Sequence, residues 1–383
     1  MLKELKMMLT LFKNAQVYGP HFLGTRDVLT GGKVILGINE HLDPPAGMEV
    51  QTIDCTGLRL VPGFVDSHVH ITGGGGEGGP ASRMPELTLK MMLEGGVTTV
   101  IGCLGTDGFT RSVESVLMKV KSLRAQGVSA WMYTGAYQVP TPTITGDVMK
   151  DIALFEEIIG VGEVAVSDHR SSLPTTTELA RIASQARVAG MIGGKAGIVN
   201  VHMGDAQDPF KPIHDVVANS ELKYKQFIPT HCNRNTYIFD DAKEYGKKGY
   251  VDITTSSYPY YADEEIKPSL ALKELMACGV PLQHITFTSD GCGSLPGFDP
   301  VTGKLIKIEM GLPSANLREI KEAVLEDGIP LEQALQVITS NPANILKLTG
   351  KGHIIEGYDA DILLLDEDFN LVHVMALGKL MTL

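Results

Sequence analysis

Residues 61–70 read VPGFVDSHVH, an apolar run that ends in two histidines, His68 and His70. Side chains alternate between the two faces of a strand, so a spacing of two places both imidazoles on the same face. Together they can bind one metal ion, although two polar residues at a strand exit are also common without a ligand. The pattern predicts a strand with a candidate metal site at its end.

Short apolar runs recur from Val61 to about Ala343, and amphipathic segments with helical spacing separate them. This alternation is typical of a parallel sheet, either as a closed barrel or as a doubly wound arrangement. Most of the runs end in a polar residue, which is where barrel enzymes place their chemistry. The strand candidates are GVTTVIGCLG (96–105), GVSAWMYTGAY (127–137), GEVAVSDHR (162–170), GIVNVHMGD (197–205), FIPTHCN (227–233), YVDITTSS (250–257) and HITFTSDG (284–291).

Both ends of the chain lack this alternation of strands and helices and instead show short strands between glycine, proline or acidic turns. Residues 9–60 contain LTLFKNAQVYG, DVLTGGKVILGI and MEVQTIDCTGLRL, and residues 359–381 read DADILLLDEDFNLVHVMALGKLM. The length of 383 residues also exceeds the ~250–300 at which a single core usually stops growing. We therefore predict a small β domain from residues 1–62 and 344–383, and a barrel from residues 63–343.

Composition and charge narrow the range of partners and compartments. The formal net charge is −12, and no cluster of Lys and Arg suits a nucleic-acid backbone. The five cysteines form no CxxC pair, which favours a reducing cytoplasm. The N-terminal sequence does not resemble a signal peptide, and no stretch is long enough to span a membrane. We expect a cytoplasmic protein that binds a small molecule, and neither nucleic acid nor a membrane.

Three further strand candidates end in possible metal ligands. His202 closes GIVNVHMGD, His231 closes FIPTHCN, and Asp290 closes HITFTSDG. A single strand-end histidine is more often only hydrogen-bonded, and an aspartate there often caps a turn. Their shared position at the ends of strands is what favours a metal site. Four histidines and a carboxylate suit one or two borderline cations such as zinc.

The order of these residues resembles the amidohydrolase superfamily, in which an HxH pair, two later histidines and an aspartate bind the metals. At finer grain the chain is similar to the bacterial isoaspartyl dipeptidases (β-aspartyl peptidases) over essentially its whole length. The resemblance implies an α/β fold with a (β/α)8 TIM-like barrel, a small β-sandwich domain formed from both termini, two zinc ions per chain and a homo-oligomer. It rests on PGFVDSHVHITGGGGEGGP (62–80), GVTTVIGCLGTDG (96–108), WMYTGAYQVPTPTITG (131–146), SDHRS (167–171), GGKAGIVNVHMGD (193–205), PTHCNRN (229–235), TSDGCGS (288–294) and TGKGHIIEGYDADILLLD (349–366).

One position departs from that family, which usually has on its fourth strand a carboxylated lysine that bridges the two metals. The sequence offers Glu163 or Gly162 there, depending on which flanking motif anchors the comparison, as if one residue were inserted. Glu163 is preferred because a carboxylate can also bridge two cations, and Gly162 would let the strand approach the metals. A solvated glutamate would instead imply a mononuclear site. Lys195 is the alternative lysine, but it lies in the loop before the next strand.

A dipeptide linked through the aspartate side chain carries two carboxylates and one amine, so its pocket needs two cations and one anion. Arg170 and Arg234 suit the carboxylates and Glu77 suits the amine, and each matches a substrate-binding position of the family. Surface ion pairs are the ordinary alternative for such residues. The resemblance adds three further contact positions, Gly75, Thr106 and Ser294.

The resemblance also implies a mechanism for hydrolysis of the β-aspartyl bond, which releases aspartate and an amino acid. A hydroxide held between two metals attacks the carbonyl, because coordination lowers the pKa of water toward ~7. Asp290 orients that nucleophile and carries its proton to the departing amine. Tyr137, by default an ordinary core tyrosine, donates to the developing oxyanion. Cys232 and Cys292 are expected to be neighbours rather than nucleophiles.

Two alternatives stay open. A D-aminoacylase, dihydropyrimidinase or dihydroorotase would act on an N-acyl amino acid or a cyclic amide with the same metal frame. Such an enzyme would not need Arg170, Arg234 and Glu77 together. A non-catalytic barrel used as a binding or scaffold protein is the alternative of a different class. Only the substitution at Glu163 supports it, since the other ligand positions are retained.

Overall fold

The structure is a computed structural model that describes residues 9–299, 301–302 and 304–382. Strands and helices are numbered along the chain. The first five strands are β1 (Leu9–Tyr18), β2 (Phe22–Gly31), β3 (Val34–Asn39), β4 (Val50–Asp54) and β5 (Arg59–Pro62). The next eight are β6 (Phe64–Val69), β7 (Val97–Gly102), β8 (Ser129–Thr134), β9 (Ile158–Val166), β10 (Ile198–Met203), β11 (Phe227–Thr230), β12 (Val251–Thr254) and β13 (Ile285–Thr288). The last five are β14 (Ser294–Phe298), β15 (Leu305–Met310), β16 (Ile362–Leu365), β17 (Leu371–Ala376) and β18 (Lys379–Leu380).

An α-helix follows each of the strands β6 to β13. The α-helices are α1 (Leu89–Glu94), α2 (Val113–Ala125), α3 (Val148–Leu154), α4 (Thr176–Gly193), α5 (Lys211–Ala218), α6 (Thr236–Gly246), α7 (Pro268–Ala277), α8 (Ser314–Leu325), α9 (Leu331–Gln336) and α10 (Ser340–Ile345). Short 3-10 turns cover Pro80–Ser82, Tyr224–Gln226 and Leu282–His284. Within the described ranges, no helix combines the length and the apolar character needed to cross a membrane.

Strands β6 to β13 form a (β/α)8 barrel, as predicted. Strands β6 to β11 make one parallel ladder in chain order, and β12 pairs with β13 in parallel. The ring closes where β13 contacts β6 and where Val69 bridges to Gly291. Apart from Trp131, every residue of these strands is buried, because helices cover the outer face and side chains fill the inner one. Closure excludes the doubly wound alternative.

Strands from both ends of the chain share a second sheet, which confirms the predicted β unit. Its order is β18-β17-β16-β5-β1-β2-β3, and β4 also pairs with β1. The two ends meet where β5 runs antiparallel to β16, with Leu60 opposite Leu364. Because β5 leads into β6 through Gly63 alone, this sheet is attached directly to the first barrel strand. The exact domain limits at residues 62–63 and 343–344 stay a prediction.

Candidate metal centre and substrate pocket

The predicted metal ligands meet in one cluster at the carboxyl ends of the barrel strands. Each of them exposes 9% or less of its surface. The carboxyl ends of barrel strands converge on one face of the fold, so residues far apart in sequence become neighbours there. The members are His68 in β6 and His70 just after it, Glu163 in β9, His202 in β10, His231 after β11 and Asp290 after β13.

Glu163 lies between two groups of imidazoles. Its Oε1 atom is 2.8 Å from Nδ1 of His202 and 3.2 Å from Nε2 of His231. Its Oε2 atom is 3.5 Å from Nε2 of His68 and 3.7 Å from Nε2 of His70. Oε2 is buried and receives no hydrogen bond. A buried carboxylate oxygen without a donor is costly unless a cation lies beside it, so this arrangement fits a metal ion on each side of Glu163.

A β-bulge carries Glu163 into the cluster. Strand β9 pairs in register with β10 up to Val161 and again from Val164, so that Gly162 and Glu163 together oppose the single residue Asn200. Bulges redirect side chains and are frequent beside active sites. A Cβ atom on Gly162 would lie 2.8 Å from Cβ of Asn200, so the approach of the two strands requires glycine there. The extra residue lies where the flanking motifs suggest an insertion.

Hydrogen bonds from other barrel strands orient two of the imidazoles. Nδ1 of His68 lies 3.0 Å from Oδ1 of Asn200, and Nδ1 of His231 lies 2.8 Å from Oγ1 of Thr254. In both rings the other nitrogen, Nε2, therefore faces Glu163. Such partners fix the tautomer and the orientation of metal-binding histidines.

Asp290 faces the His68 and His70 side of the cluster. Its Oδ1 atom is 3.0 Å from Nε2 of His70 and 3.6 Å from Nε2 of His68. Asp290 has a left-handed backbone with φ of 51°, and His231 has φ of 63°. Residues other than glycine seldom adopt this conformation, and where they do it is often at a functional site.

The buried carboxylates of the cluster are stabilised as anions. Burial raises the pKa of Glu163, but the neighbouring His68 and His202 outweigh burial and hold that pKa well below its ordinary value. Burial also opposes ionisation of Asp290, yet the hydrogen bond from His70 lowers its pKa. Burial lowers the pKa of His231 to about 4, which keeps this imidazole neutral and able to bind a cation. The carboxylates of the cluster therefore carry the negative charge that a cation site needs.

The predicted substrate-binding residues line one cavity of about 300 Å³ beside the cluster. This volume is at the lower end of the range for small-molecule sites, roughly 300–1,000 Å³, which suits a compact ligand. The cavity also exposes His70, His202, His231 and Asp290. The predicted residues on its wall are Gly75, Glu77, Thr106, Tyr137, Arg170, Arg234 and Ser294.

Arg170 is held by two carboxylates. Its Nε and Nη2 atoms donate to Asp168 at 2.9 and 2.8 Å, and its Nη1 atom donates to Oε1 of Glu77 at 3.3 Å. Ser294 also donates to Oε1 of Glu77, at 3.0 Å, whereas Oε2 of Glu77 is buried without a donor. Arg170, Glu77 and Ser294, three of the predicted substrate contacts, thus form one hydrogen-bonded network.

Asp168 connects this network to the metal cluster. Its Oδ2 atom lies 3.0 Å from Nε2 of His202, and the same atom accepts the hydrogen bond from Nη2 of Arg170. Burial raises the pKa of Asp168, but the hydrogen bonds from Arg170 and His202 outweigh it, so the carboxyl group is an anion. The sequence prediction missed this residue, although it lies in the SDHRS motif two positions before Arg170.

Tyr137 reaches the cluster beside Arg170. Its hydroxyl lies 2.7 Å from Nδ1 of His202, and its ring lies under the guanidinium of Arg170 at 5.4 Å from the centroid. Burial raises the pKa of Tyr137 well above its ordinary value, so the phenol keeps its proton and can donate it in a hydrogen bond.

The remaining predicted contacts are Gly75, Thr106 and Arg234. Gly75 has φ of 76°, and a Cβ atom there would lie 2.3 Å from the carbonyl oxygen of Ser82, so only glycine fits. The hydroxyl of Thr106 is buried without a partner. Arg234 is partly exposed and pairs with Asp205 through Nε at 3.2 Å.

The sequence prediction also missed Cys103, Asn200 and Thr254. Cys103 follows β7 and lies against the His68 imidazole, with Sγ 3.8 Å from Nε2. It closes the apolar run GVTTVIGC, the same position that identified the histidines, so the signal was present. Asn200 lies in the middle of an apolar strand, and nothing local distinguishes it.

Three residues considered from the sequence have other surroundings. Lys195 donates to the carbonyl oxygens of Ile152 and Phe155 near the end of α3. Its amino group is therefore engaged away from the ligand cluster. Cys232 is buried and donates to the carbonyl oxygen of Pro229 at 3.3 Å. Burial raises the pKa of Cys292 to about 12, so its thiol is a poor nucleophile.

Comparison with known proteins supports the fold and the family. Residues 221–381 match the Amidohydrolase family. The fold superposes on the β-aspartyl dipeptidase of Fervidobacterium islandicum AW-1, solved in complex with β-Asp-Leu dipeptide, with a TM-score of 0.90 and 42% identity over 98% of this chain and 97% of that chain. Dihydropyrimidinase from Brevibacillus agri shares the fold at 15% identity and a TM-score of 0.65. Dihydroorotase of Staphylococcus aureus is 37% identical over 280 residues, but the chain spans only 54% of that relative.

The barrel and its buried ligand cluster define an amidohydrolase. Within that superfamily the similarity to the Fervidobacterium protein extends over nearly the full length of both chains. The chain belongs to the β-aspartyl dipeptidase family.

Proposed function

We propose that this protein hydrolyses the β-aspartyl bond of dipeptides and releases aspartate and an amino acid. The observation that carries the proposal is the charge pattern of the cavity, which Arg170, Arg234 and Glu77 line together beside the ligand cluster. A β-linked dipeptide has two carboxylates and one ammonium group, so two arginines and one glutamate are its complement. The relative solved with β-Asp-Leu supports the same substrate class.

Two zinc ions per chain are part of the proposal. His68, His70 and Asp290 would hold one ion, His202 and His231 the other, and Glu163 both. The fit rests on the two groups of ligand atoms that share Glu163 and on its unpartnered Oε2 atom. Nitrogen and oxygen donors of this kind suit zinc. Bound zinc would supply Lewis acidity and water activated at neutral pH.

The protein's own groups position the substrate. Glu77 has a buried Oε2 atom without a donor, which is where a substrate ammonium group would donate. Arg170 is held by Asp168 before any ligand arrives, so little side-chain entropy is lost on binding. Arg234, with its weaker partner Asp205, is free to turn toward the second carboxylate.

Asp290 transfers the proton, and Tyr137 stabilises the negative charge that develops on the carbonyl oxygen. The carboxylate of Asp290 takes the proton of the attacking water and delivers it to the leaving amine, which could not depart as an anion. Tyr137 remains protonated because burial raises its pKa, and its hydroxyl donates to the carbonyl oxygen as negative charge develops there.

The proposed setting is a homo-oligomer in the cytoplasm. All five cysteines are free thiols, which supports a reducing compartment. Sedimentation analysis of the purified chain tests the oligomeric state, since a monomer at working concentration would contradict it.

Metal analysis together with substrate comparison tests the function. The purified protein is assayed for zinc per chain and for cleavage of β-Asp-Leu, α-Asp-Leu, dihydroorotate and an N-acetyl-D-amino acid, with and without a chelator. We expect about two zinc ions and chelator-sensitive cleavage of β-Asp-Leu alone. Cleavage of dihydroorotate or of the N-acyl amino acid would favour those amidohydrolase types. Zinc binding without any cleavage would favour a non-catalytic barrel.

A further inference from the structure

Cys103 belongs to the same group of ligand atoms as His68, His70 and Glu163. Its Sγ atom is 3.8 Å from Nε2 of His68 and 3.9 Å from Nδ1 of His70, and the side chain is fully buried. Ligand atoms of Cys103, His68, His70 and Glu163 all lie within 4.8 Å of one another. The proposed mechanism gives this thiol no role.

The spacing of these atoms is close to that of a tetrahedral zinc site. With zinc bonds of ~2.0–2.1 Å to nitrogen or oxygen and ~2.3 Å to sulfur, the edges of the tetrahedron are roughly 3.3–3.6 Å. The observed separations are 3.5 Å from Nε2 of His68 to Oε2 of Glu163, 3.7 Å from Nε2 of His70 to the same oxygen, and 3.8 Å from Sγ to Nε2 of His68. A contraction of a few tenths of an ångström would bring these atoms to bonding distance of one ion.

A second observation points to a ligand at the same place. Oε2 of Glu163 is buried, receives no hydrogen bond and faces the group that contains Cys103. Apart from the two imidazoles, the hydrogen-bond partner of Sγ is the carbonyl oxygen of Val69, at 3.5 Å. That contact leaves the sulfur lone pairs available. Carboxylate oxygen, two imidazoles and sulfur together form a donor set that zinc favours.

We propose that Cys103 binds the metal ion of the His68, His70 and Glu163 group as a thiolate. The thiol releases its proton to solvent as the sulfur–metal bond forms, so binding is accompanied by loss of one proton from Cys103. This inference rests on the metal site of the proposed function but not on its substrate. The thiolate adds a negative charge to those of Glu163 and Asp290 at this ion, and sulfur selects zinc over magnesium or manganese.

Cobalt substitution tests the inference with a readout that does not depend on activity. The full-length protein is stripped of metal and titrated with Co²⁺, and a thiolate-to-cobalt charge-transfer band is followed in the near ultraviolet. We expect the band in the wild type and in Cys278→Ser, which removes an exposed thiol remote from the cluster. Cys103→Ser and Cys103→Ala should lose the band, and they should bind the ion of the His68, His70 and Glu163 group at least tenfold more weakly.

X-ray absorption at the zinc edge of the unmodified protein provides a test that needs no variant. One sulfur bound to one of the two zinc ions should give an average of half a sulfur scatterer per zinc at ~2.3 Å. Neither a sulfur shell nor a charge-transfer band, in protein that cleaves β-Asp-Leu, would overturn the inference and leave the proposed function intact. Both signals without cleavage would support the thiolate and contradict the function. Failure to bind cobalt or zinc would overturn both.

Discussion

The Oδ2 atom of Asp168 lies 3.0 Å from Nε2 of His202. The same carboxylate accepts two hydrogen bonds from the side chain of Arg170, so a single buried group orients a proposed metal ligand and a proposed substrate contact. Metal binding and substrate binding are thereby connected through one side chain. A change at Asp168 should affect both, which distinguishes it from a residue that only packs.

Asp168→Asn should weaken zinc binding by 10- to 100-fold and raise the KM for β-Asp-Leu. The amide keeps the shape but loses the charge that orients His202, and loss of such a partner typically costs that factor in affinity. Zinc affinity by competition with a chelating dye and steady-state kinetics would measure the two effects. Asp208→Asn, at an exposed position on a nearby loop, is the control. Wild-type values for both quantities in Asp168→Asn would contradict the role.

Glu163→Gln should reduce the metal content from about two ions to one or fewer per chain. The amide still fits the bulge, but it lacks the charge with which each carboxylate oxygen would bind an ion. Hydrolysis of β-Asp-Leu should fall at least a hundredfold. Elemental analysis and initial rates provide the measurement, with circular dichroism as the check on folding. Two tightly bound ions in this variant would show that Glu163 is not the bridge.

Arg234→Met should lower kcat/KM for β-Asp-Leu by about 10- to 100-fold while zinc content stays unchanged. Methionine retains the length but not the charge, and a hydrogen bond to a charged group is worth ~1.5–3 kcal/mol. Arg181→Met, on the exposed face of α4, should behave as the wild type. If Arg234→Met matched Arg181→Met, the second substrate carboxylate would have to bind elsewhere in the cavity.

Glu265 should make stability depend on pH. Burial on the cavity wall raises the pKa of Glu265 from 4.5 to about 8, although Ser257 donates to it at 2.6 Å. Between pH 4.5 and 8 the folded chain keeps a proton that the unfolded chain has lost, so this contribution to the free energy of unfolding decreases as pH rises. Glu265→Gln, which stays neutral, should lose less stability over this window than the wild type.

Thermal unfolding of the zinc-loaded proteins across that pH range measures the difference in slope. The neighbouring Glu264 is exposed, and Glu264→Gln is therefore the matched control that should follow the wild-type slope. Equal slopes for Glu265→Gln and the wild type would mean that Glu265 is ionised in the folded protein at neutral pH.

The sequence patterns were enough to predict a parallel α/β sheet and the residues at its active edge, and the resemblance to the amidohydrolases favoured its closure into a barrel. Continuous apolar runs separated by helical segments are local patterns, and burial of a parallel sheet on both faces accounts for them. Because the carboxyl ends of such strands converge, a histidine or aspartate after each run could be placed in one cluster without knowledge of any distance. His68, His202, His231 and Asp290 were identified in this way.

Only the tertiary structure revealed how these residues are connected. The direction of Glu163 depends on two residues of β9 opposing one of β10, and this register is a property of paired strands rather than of either strand alone. Cys103 and Asp168 gain their importance from neighbours more than thirty residues away in the chain. Sequence patterns specify which face a side chain occupies, whereas its partners are determined when strands distant in sequence come into contact.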